Sequence, residues 1–398
     1  MPAFSLDAMP EVFLSSAEIS SAVSRAAADG QIRKLASRLY TKNLTDAPED
    51  VIRQHIWPIV AMYFPGGLIA DLTALENRPA EDGSICLIAS KKRDIELPGH
   101  VLRPRTGHGP LESDLPFING LWLPSPARAF LENMRTSRRS SAGVARTLSQ
   151  SEIEERLDQQ LRRGGEKALK KLRDGVREIA PALQMENEAK RLDELIGTLL
   201  GSRKANVIAP VAKARSAGRP YDPDRISRFE TLFSALRDTP PTVRPEPKRT
   251  QEGNATLAFF EAYFSNFIEG TEFGVGEAAE IVFEGKIPHQ RPQDAHDILG
   301  TYRVVASRDE MSRVPATLEQ FLSLLRDRHA QVMSARPDKR PGEFKQELNR
   351  AGMTEFVAPD LVQGTLASGL EMMRALDDPF HRAVFMMFLV SEVHPFVD

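Results

Sequence analysis

The sequence predicts a multidomain protein with an α+β N-terminal half and a mostly helical C-terminal half. Three observations lead to this prediction: a helix followed by a hairpin pattern near the N-terminus, a long charged stretch with helical periodicity in the middle, and an apolar helical run close to residue 390. At 398 residues the chain has the length of two to three ordinary domains. Its 41% hydrophobic and 27% charged residues are typical of globular proteins, so we expect it to bury sizeable cores.

Composition excludes several classes of protein. The formal net charge of -3 gives the whole chain no general attraction to nucleic acid or to a membrane surface. The single cysteine, Cys86, excludes an internal disulfide framework and fits a reducing compartment. Acidic residues at Asp7 and Glu11 replace the basic region that a secretory signal would need. The longest apolar run, residues 383–390, is shorter than the roughly 20 residues that span a bilayer. We therefore expect a cytoplasmic protein without a membrane partner.

The first 70 residues follow the element order of a winged helix. Residues 17–30 have helical spacing and end at Asp29-Gly30, residues 32–35 and 38–41 are strand-like, and residues 48–64 return to a helical pattern. Between residues 25 and 42, five basic side chains accompany one acidic side chain, which indicates a local phosphate-binding surface. The candidate DNA contacts are Arg25, Arg33, Lys34, Arg38 and Lys42. The alternative is a winged helix used only for protein contacts or packing.

The middle of the chain divides into two further segments. Residues 71–135 combine short β-branched runs with Pro and Gly, and they predict a small β-rich extension. Residues 136–238 predict an Arg- and Ser-rich linker followed by a helical connector, with Ser151 as N-cap and Glu154 three residues later. The clustered prolines between 240 and 247 favour an extended boundary before a last domain at residues 250–398.

A helix is predicted to lead into the last residues of the sequence. Asp377 and Asp378 are suitable caps, Pro379 suits the first helical turn, and residues 383–389 are continuously apolar. Pro395 disfavours helical geometry at the residue before it, so we expect the helix to end at His394 and a loop to begin there.

Two motifs in this last domain resemble the Fic family. His394-Pro395-Phe396-Val397-Asp398 resembles the first five positions of the Fic motif, which continues in the family as Gly-Asn-Gly-Arg. Upstream, residues 265–270 (Ser-Asn-Phe-Ile-Glu-Gly) resemble the family's inhibitory helix. Residues 341–344 and 356–359 are similar to the two ends of its target-docking flap. The resemblance covers roughly residues 250 to 398 and implies a mostly α Fic-like domain.

The resemblance implies a protein adenylyltransferase, which moves AMP from Mg-ATP to a Ser, Thr or Tyr hydroxyl of a protein target. His394 would be the catalytic base, Asp398 would bind Mg²⁺, and Pro395 and Phe396 would anchor the loop. Proton transfer from the hydroxyl and a metal on the phosphates are the needs of this chemistry. Because the sequence ends inside the motif, we expect this chain to lack part of the phosphate-binding turn, to bind ATP and Mg²⁺ weakly, and to be inactive by itself.

Regulation and target docking are also implied by the resemblance. Glu269, with Ser265 and Gly270 in the same motif, would be the inhibitory residue that holds ATP in an unproductive pose. The flap would offer backbone groups to an extended target segment, in the manner of strand addition. Its expected target-docking residues are Phe344, Thr354, Glu355 and Phe356.

A second function stays open on the sequence. The segment from Ser20 to Asp71 resembles the winged-helix region of AbiEi-type antitoxin and regulator proteins. This resemblance implies a DNA-binding transcriptional regulator or antitoxin-like protein in which the Fic half is degenerate. The two functions differ in whether the chemistry resides at His394 or the binding at the basic N-terminal residues.

Overall fold

The first half of the protein contains sheets together with helices, and the second half is mostly helical. The computed structural model describes residues 5–137, 144–240, 245 and 247–397. Its chain forms two compact units, Met1–Ser216 and Ala217–Asp398. The expectation of an α+β N-terminal part and a mostly helical C-terminal part is confirmed. None of the helices in the described ranges has the length and apolar character required to cross a lipid bilayer.

The first unit begins with a three-stranded antiparallel sheet and three helices. These elements are β1 (Val12–Leu14), α1 (Ser20–Ala28), β2 (Arg33–Ala36), β3 (Leu39–Thr41), α2 (Pro48–Gln54) and α3 (Ile56–Tyr63). The strand order is β1-β3-β2, so the predicted hairpin is present as β2 and β3. The single helix predicted over residues 48–64 is divided at His55, whose backbone leaves the helical region between α2 and α3.

A six-stranded mixed sheet follows where the sequence predicts a β-rich extension. Its elements are β4 (Leu68–Ile69), α4 (Asp71–Glu76), β5 (Ser84–Ile88), β6 (Ile95–Leu97), β7 (His100–Arg105), β8 (Leu115–Pro116), a 3-10 turn (Ile118–Gly120), β9 (Trp122–Leu123) and α5 (Pro126–Asn133). The strand order is β6-β7-β5-β4-β9-β8. Every residue of the central strand β5 is buried, which accounts for its unbroken run of small and apolar residues.

Charged side chains form a largely buried ion network beside this sheet. Arg128 is fully buried and pairs with Asp114 at 2.6 Å and with Glu132 at 2.9 Å. Arg105 joins Glu132 to Asp71, at 2.8 Å in each case. Buried charges are tolerated when each is paired and hydrogen bonded, so the mutual pairing explains how these ions can lie in the interior.

Three helices complete the first unit: α6 (Gln150–Leu183), α7 (Glu186–Leu199) and α8 (Pro210–Ser216). The N-cap predicted at Ser151 is wrong by two residues. Ser149 caps α6 and forms a reciprocal capping box with Glu152. Glu154 has another role, because its buried carboxylate accepts the backbone N–H groups of Ile208 and Ala209.

The second unit consists of helices and one small hairpin. Its elements are α9 (Pro223–Asp238), α10 (Gln251–Ile268), α11 (Val275–Ala279), a π-helical turn (Glu280–Glu284), α12 (Pro292–Ala306), α13 (Arg308–Met311), α14 (Leu318–Val332), 3-10 turns (Pro337–Lys339, Pro359–Leu361), β10 (Arg350–Ala351), β11 (Thr354–Glu355), α15 (Val362–Arg374) and α16 (Pro379–Val393). One core joins α10, the π-helical turn and α12. A second core joins α9, α14, α15 and α16. Helix α9 therefore packs with the second unit, although it precedes the proline-rich boundary that the sequence predicts.

Candidate functional site

The predicted catalytic histidine lies at the C-terminal end of α16. Asp378 starts the helix by accepting the backbone N–H of His381 at 2.9 Å, with Pro379 in the first turn, as the sequence predicts. His394 ends it with φ 46° and ψ 68°, while its own N–H still donates to Val390 at 2.9 Å. The left-handed backbone turns the chain out of the helix at this residue.

The loop after His394 is anchored by aromatic stacking. Pro395 and Phe396 are both buried. The Phe396 ring stacks on His329 with a centroid distance of 4.0 Å and on Phe344 with a distance of 5.2 Å. Phe344, expected at the start of the flap, is thus in direct contact with the expected loop anchor.

The His394 ring is in contact with the other end of the flap. It stacks on Phe356 with a centroid distance of 4.2 Å and an interplanar angle of 14°. His394 is partly exposed, so the ring is not sealed in the core. Stacking uses the faces of an imidazole and leaves the two ring nitrogens on its edge. The histidine and the flap are therefore brought together at a place where the histidine is partly exposed.

The flap contains a two-stranded hairpin. Strand β10 pairs with β11 in antiparallel register, and the Phe356 N–H donates to the Asn349 carbonyl at 3.1 Å. Gly352 turns the chain with φ 58°. Thr354 and Glu355, two expected docking residues, are exposed on β11.

A buried arginine joins this hairpin to α9 and α16. Arg225 is 6% exposed, and its guanidinium donates to the Glu355 carbonyl at 2.5 Å and to Glu392 of α16 at 2.8 Å. Arg228 reaches the same Glu392 carboxylate at 2.9 Å. The carbonyl of Glu355 is thus engaged within the unit.

Lys345 is a buried residue of this site that sequence reasoning missed. It is 3% exposed, and its ammonium donates to Asn349 Oδ1 at 2.6 Å and to the Val393 carbonyl at 3.3 Å. Its backbone N–H donates to the Pro395 carbonyl at 2.9 Å. The only sequence signal was a charged residue directly after the expected flap residue Phe344, and such a residue is ordinarily a solvated surface lysine.

The expected inhibitory motif forms the end of helix α10. Glu269 is the C-cap residue, and Gly270 follows with φ 93°. The Thr271 N–H donates to the Asn266 carbonyl at 3.0 Å, which closes the last turn. Ser265, Glu269 and Gly270 are all exposed. The motif lies on the α10–α12 core, whereas His394 ends a helix of the α9–α16 core.

The predicted metal ligand Asp398 lies outside the described residues. Within the part of the chain that is described, no group of three or more His, Cys, Asp or Glu residues could hold a metal ion. Glu392, the acidic residue two positions before His394, is committed to Arg225 and Arg228. These residues by themselves therefore do not form a magnesium site.

The expected DNA contacts of the first unit are spread over α1, β2, the turn before β3 and the segment after β3, and most are anchored to backbone carbonyls. Arg33 donates to Asn43 and Asp46, Arg38 to Ser15 and Lys42 to Met9. Arg25 reaches the Ser21 carbonyl at 3.4 Å within α1, and Lys34 is exposed on β2. Anchored side chains hold loops in place and have less freedom to reach phosphates. Of the Arg-rich linker, residues 138–143 lie outside the described residues.

Two comparisons with known proteins returned no relative. No protein-family model matches the chain, and no curated protein matches it.

Proposed function

We propose that the chain carries the target-modifying site of a protein adenylyltransferase, with His394 as the base that takes the proton from a target hydroxyl. The observation that supports this proposal best is the stack of a partly exposed His394 ring on Phe356, at the end of the flap. A base must lie within hydrogen-bond reach of the proton that it removes. A hydroxyl held along the flap would lie next to the imidazole edge.

The environment of His394 favours a fixed ring over a mobile one. Its backbone is set by the left-handed end of α16, and one ring face is covered by Phe356. Histidine is the side chain that most often exchanges protons near neutral pH. A base with a defined orientation removes part of the entropic barrier of the reaction.

The hairpin is the proposed dock for an extended segment of the target. Strand addition gives affinity through backbone hydrogen bonds and asks little of target side chains. Since Arg225 already engages the Glu355 carbonyl, the exposed strand β10 is the favoured edge. The exposed tip residue Met353 lies beside it and offers an apolar contact.

AMP from Mg-ATP is the proposed group, and its assignment follows from the resemblance of the motif. Asp398 is the proposed magnesium ligand, and the described residues add no acidic cluster to it. When bound, the metal ion would neutralise phosphate charge. The part of the reaction that rests on described residues is the binding of the target and the removal of its proton.

Self-inhibition through Glu269 is part of the proposal. Its position at the exposed end of α10, followed by the left-handed Gly270, supports a carboxylate that projects from the helix terminus. Removing this carboxylate is therefore expected to raise activity.

The proposed function is tested by label transfer. The protein expressed from its complete reading frame is incubated with α-labelled ATP, Mg²⁺ and a lysate that supplies targets. We expect labelled protein bands, a loss of about 10²-fold or more in the His394→Asn variant, and an increase in the Glu269→Gly variant. Asparagine is chosen because it tolerates the left-handed backbone of residue 394.

His296→Asn is the matched control, because His296 lies exposed on α12, away from the α9–α16 core. This variant is expected to label targets like the wild type. Undiminished labelling by His394→Asn would remove the proposed base.

A DNA-binding regulator or antitoxin-like protein is the alternative proposal. It is favoured by the exposed Lys34 on β2 and by Arg25 in the last turn of α1. The anchoring of Arg33, Arg38 and Lys42 on backbone carbonyls weakens it. For this reason the adenylyltransferase is the preferred proposal.

A further inference from the structure

Lys345 is buried at the start of the flap, directly after Phe344, although burying an ammonium group is costly. It is 3% exposed. Burial of a charged group is tolerated only where hydrogen bonds replace its lost hydration. The partners of this ammonium therefore indicate what the lysine holds in place.

The contacts of Lys345 surround His394 on the chain. Its ammonium donates to the carbonyl of Val393, and its backbone N–H donates to the carbonyl of Pro395. The ammonium also lies 5.8 Å from the ring centroid of Phe356, the residue on which His394 stacks. The lysine thus contacts the residue before the histidine, the residue after it and its stacking partner.

Asn349 extends these contacts. Its Oδ1 accepts from the Lys345 ammonium at 2.6 Å, and its Nδ2 donates to the Phe396 carbonyl at 2.9 Å. Its backbone carbonyl accepts the Phe356 N–H. The pair Lys345 and Asn349 therefore ties the hairpin to the loop that follows α16.

We infer that Lys345 is a positioning residue, which holds the His394 ring over the flap by fixing the C-terminal carbonyl of α16 and the loop after it. A cation is favourable at this end of a helix, where backbone carbonyls lack partners within the helix. The inference rests on the proposed function insofar as His394 is the base, and it extends that function by naming the group that orients the base. Lys345 acts through the neighbours of the histidine.

The experiment uses the full chain labelled with ¹³C-histidine. Because the two rings stack, we expect the Phe356 ring current to shift the His394 ring signals upfield, and the His394→Asn variant assigns these signals. In Lys345→Met we expect this upfield shift to be lost while the other histidine signals stay in place. In the transfer assay we expect kcat to fall about 10²-fold, with KM for ATP unchanged. Lys286→Met is the control, since Lys286 has an exposed side chain in the same unit.

A second variant guards against a folding defect. Asn349→Leu keeps the ammonium and removes its amide partner, and it is expected to reduce the upfield shift in the same direction. Unchanged His394 signals in both variants would overturn the inference. Loss of the dispersed spectrum in both variants would also overturn the inference, because Lys345 would then be needed for the stability of the whole second unit. If the wild type transfers no label but Lys345→Met still displaces the ring, the proposed function fails and the positioning role stands.

Discussion

At the scale of single residues, Cys86 shows what burial does to an ionisable group. It lies in the middle of β5 with no exposed surface. Burial raises the pKa of its thiol from an ordinary value of 9.0 to about 11, and the nearby Arg146 opposes this rise only in part. The folded protein therefore keeps the thiol protonated where the unfolded chain begins to lose the proton.

This difference predicts a pH dependence of stability. The stabilisation from the neutral thiol is complete below pH 9 and is lost as the pH rises towards 11, because only the unfolded state then gains by ionising. Between pH 8 and 10.5, the free energy of unfolding of the wild type should fall by on the order of 2 kcal/mol more than that of Cys86→Ala. Urea unfolding of the wild type and of Cys86→Ala at both pH values measures this difference. An equal fall in the free energy of unfolding of the two proteins would contradict the prediction.

The residues of the site differ in how well sequence could predict them. The end of α16 at His394 follows from local chemistry, since Pro395 disfavours a helix at the residue before it. Lys345 could not be found in this way. Its decisive partner, Val393, is 48 positions away along the chain, and only the folded hairpin brings the two together.

At the scale of elements, the start of α16 offers a matched pair of acids. Both Asp377 and Asp378 were suitable caps by sequence, and Asp378 is the one that accepts the His381 N–H. Asp378→Ala should lower the free energy of unfolding by about 1 kcal/mol, because the first turn loses a partner for a backbone donor. Asp377→Ala should change it little. Chemical denaturation of the two variants measures the difference, and equal effects would contradict the role of Asp378 as the cap.

Element boundaries were harder to predict than element types. Ser149 and Ser151 both precede an acidic residue at the right spacing, so the sequence alone could not choose between them. Packing decides, because the buried Glu154 binds the backbone before α8 and is not free to complete a capping box. The predicted helix of residues 48–64 is likewise interrupted at His55, for which its sequence pattern gave no clear signal.

At the scale of the whole molecule, the two units have separate hydrophobic cores. Those of the first unit contain only residues up to Ala212, and α9 packs on α15 and α16 of the second unit. A chain of residues 1–216 should therefore unfold cooperatively by itself. A chain of residues 1–238, which ends at the boundary that the sequence predicts, should have the same midpoint because α9 would add no core contacts.

Thermal unfolding followed by circular dichroism compares the two fragments. A clearly higher midpoint for residues 1–238 would show that α9 stabilises the first unit. This result would contradict the assignment of α9 to the second unit. The mostly helical character of the second unit was expected from the resemblance of its motifs, and the pattern of the sequence itself predicted the helix that became α16. The separation of this unit into two cores was not predicted, because helical spacing reveals which face is buried and not which helix covers it.

The ion network beside the large sheet restricts how the first unit can evolve. Losing one member, such as Glu132, would leave the fully buried Arg128 paired with Asp114 alone and Arg105 paired with Asp71 alone, and an incompletely paired buried ion is a costly change. Substitutions at these positions should therefore occur together: an acid and its basic partner should exchange places, or both should be replaced by apolar residues. Distant descendants of this chain should accordingly keep the whole set or have none of it.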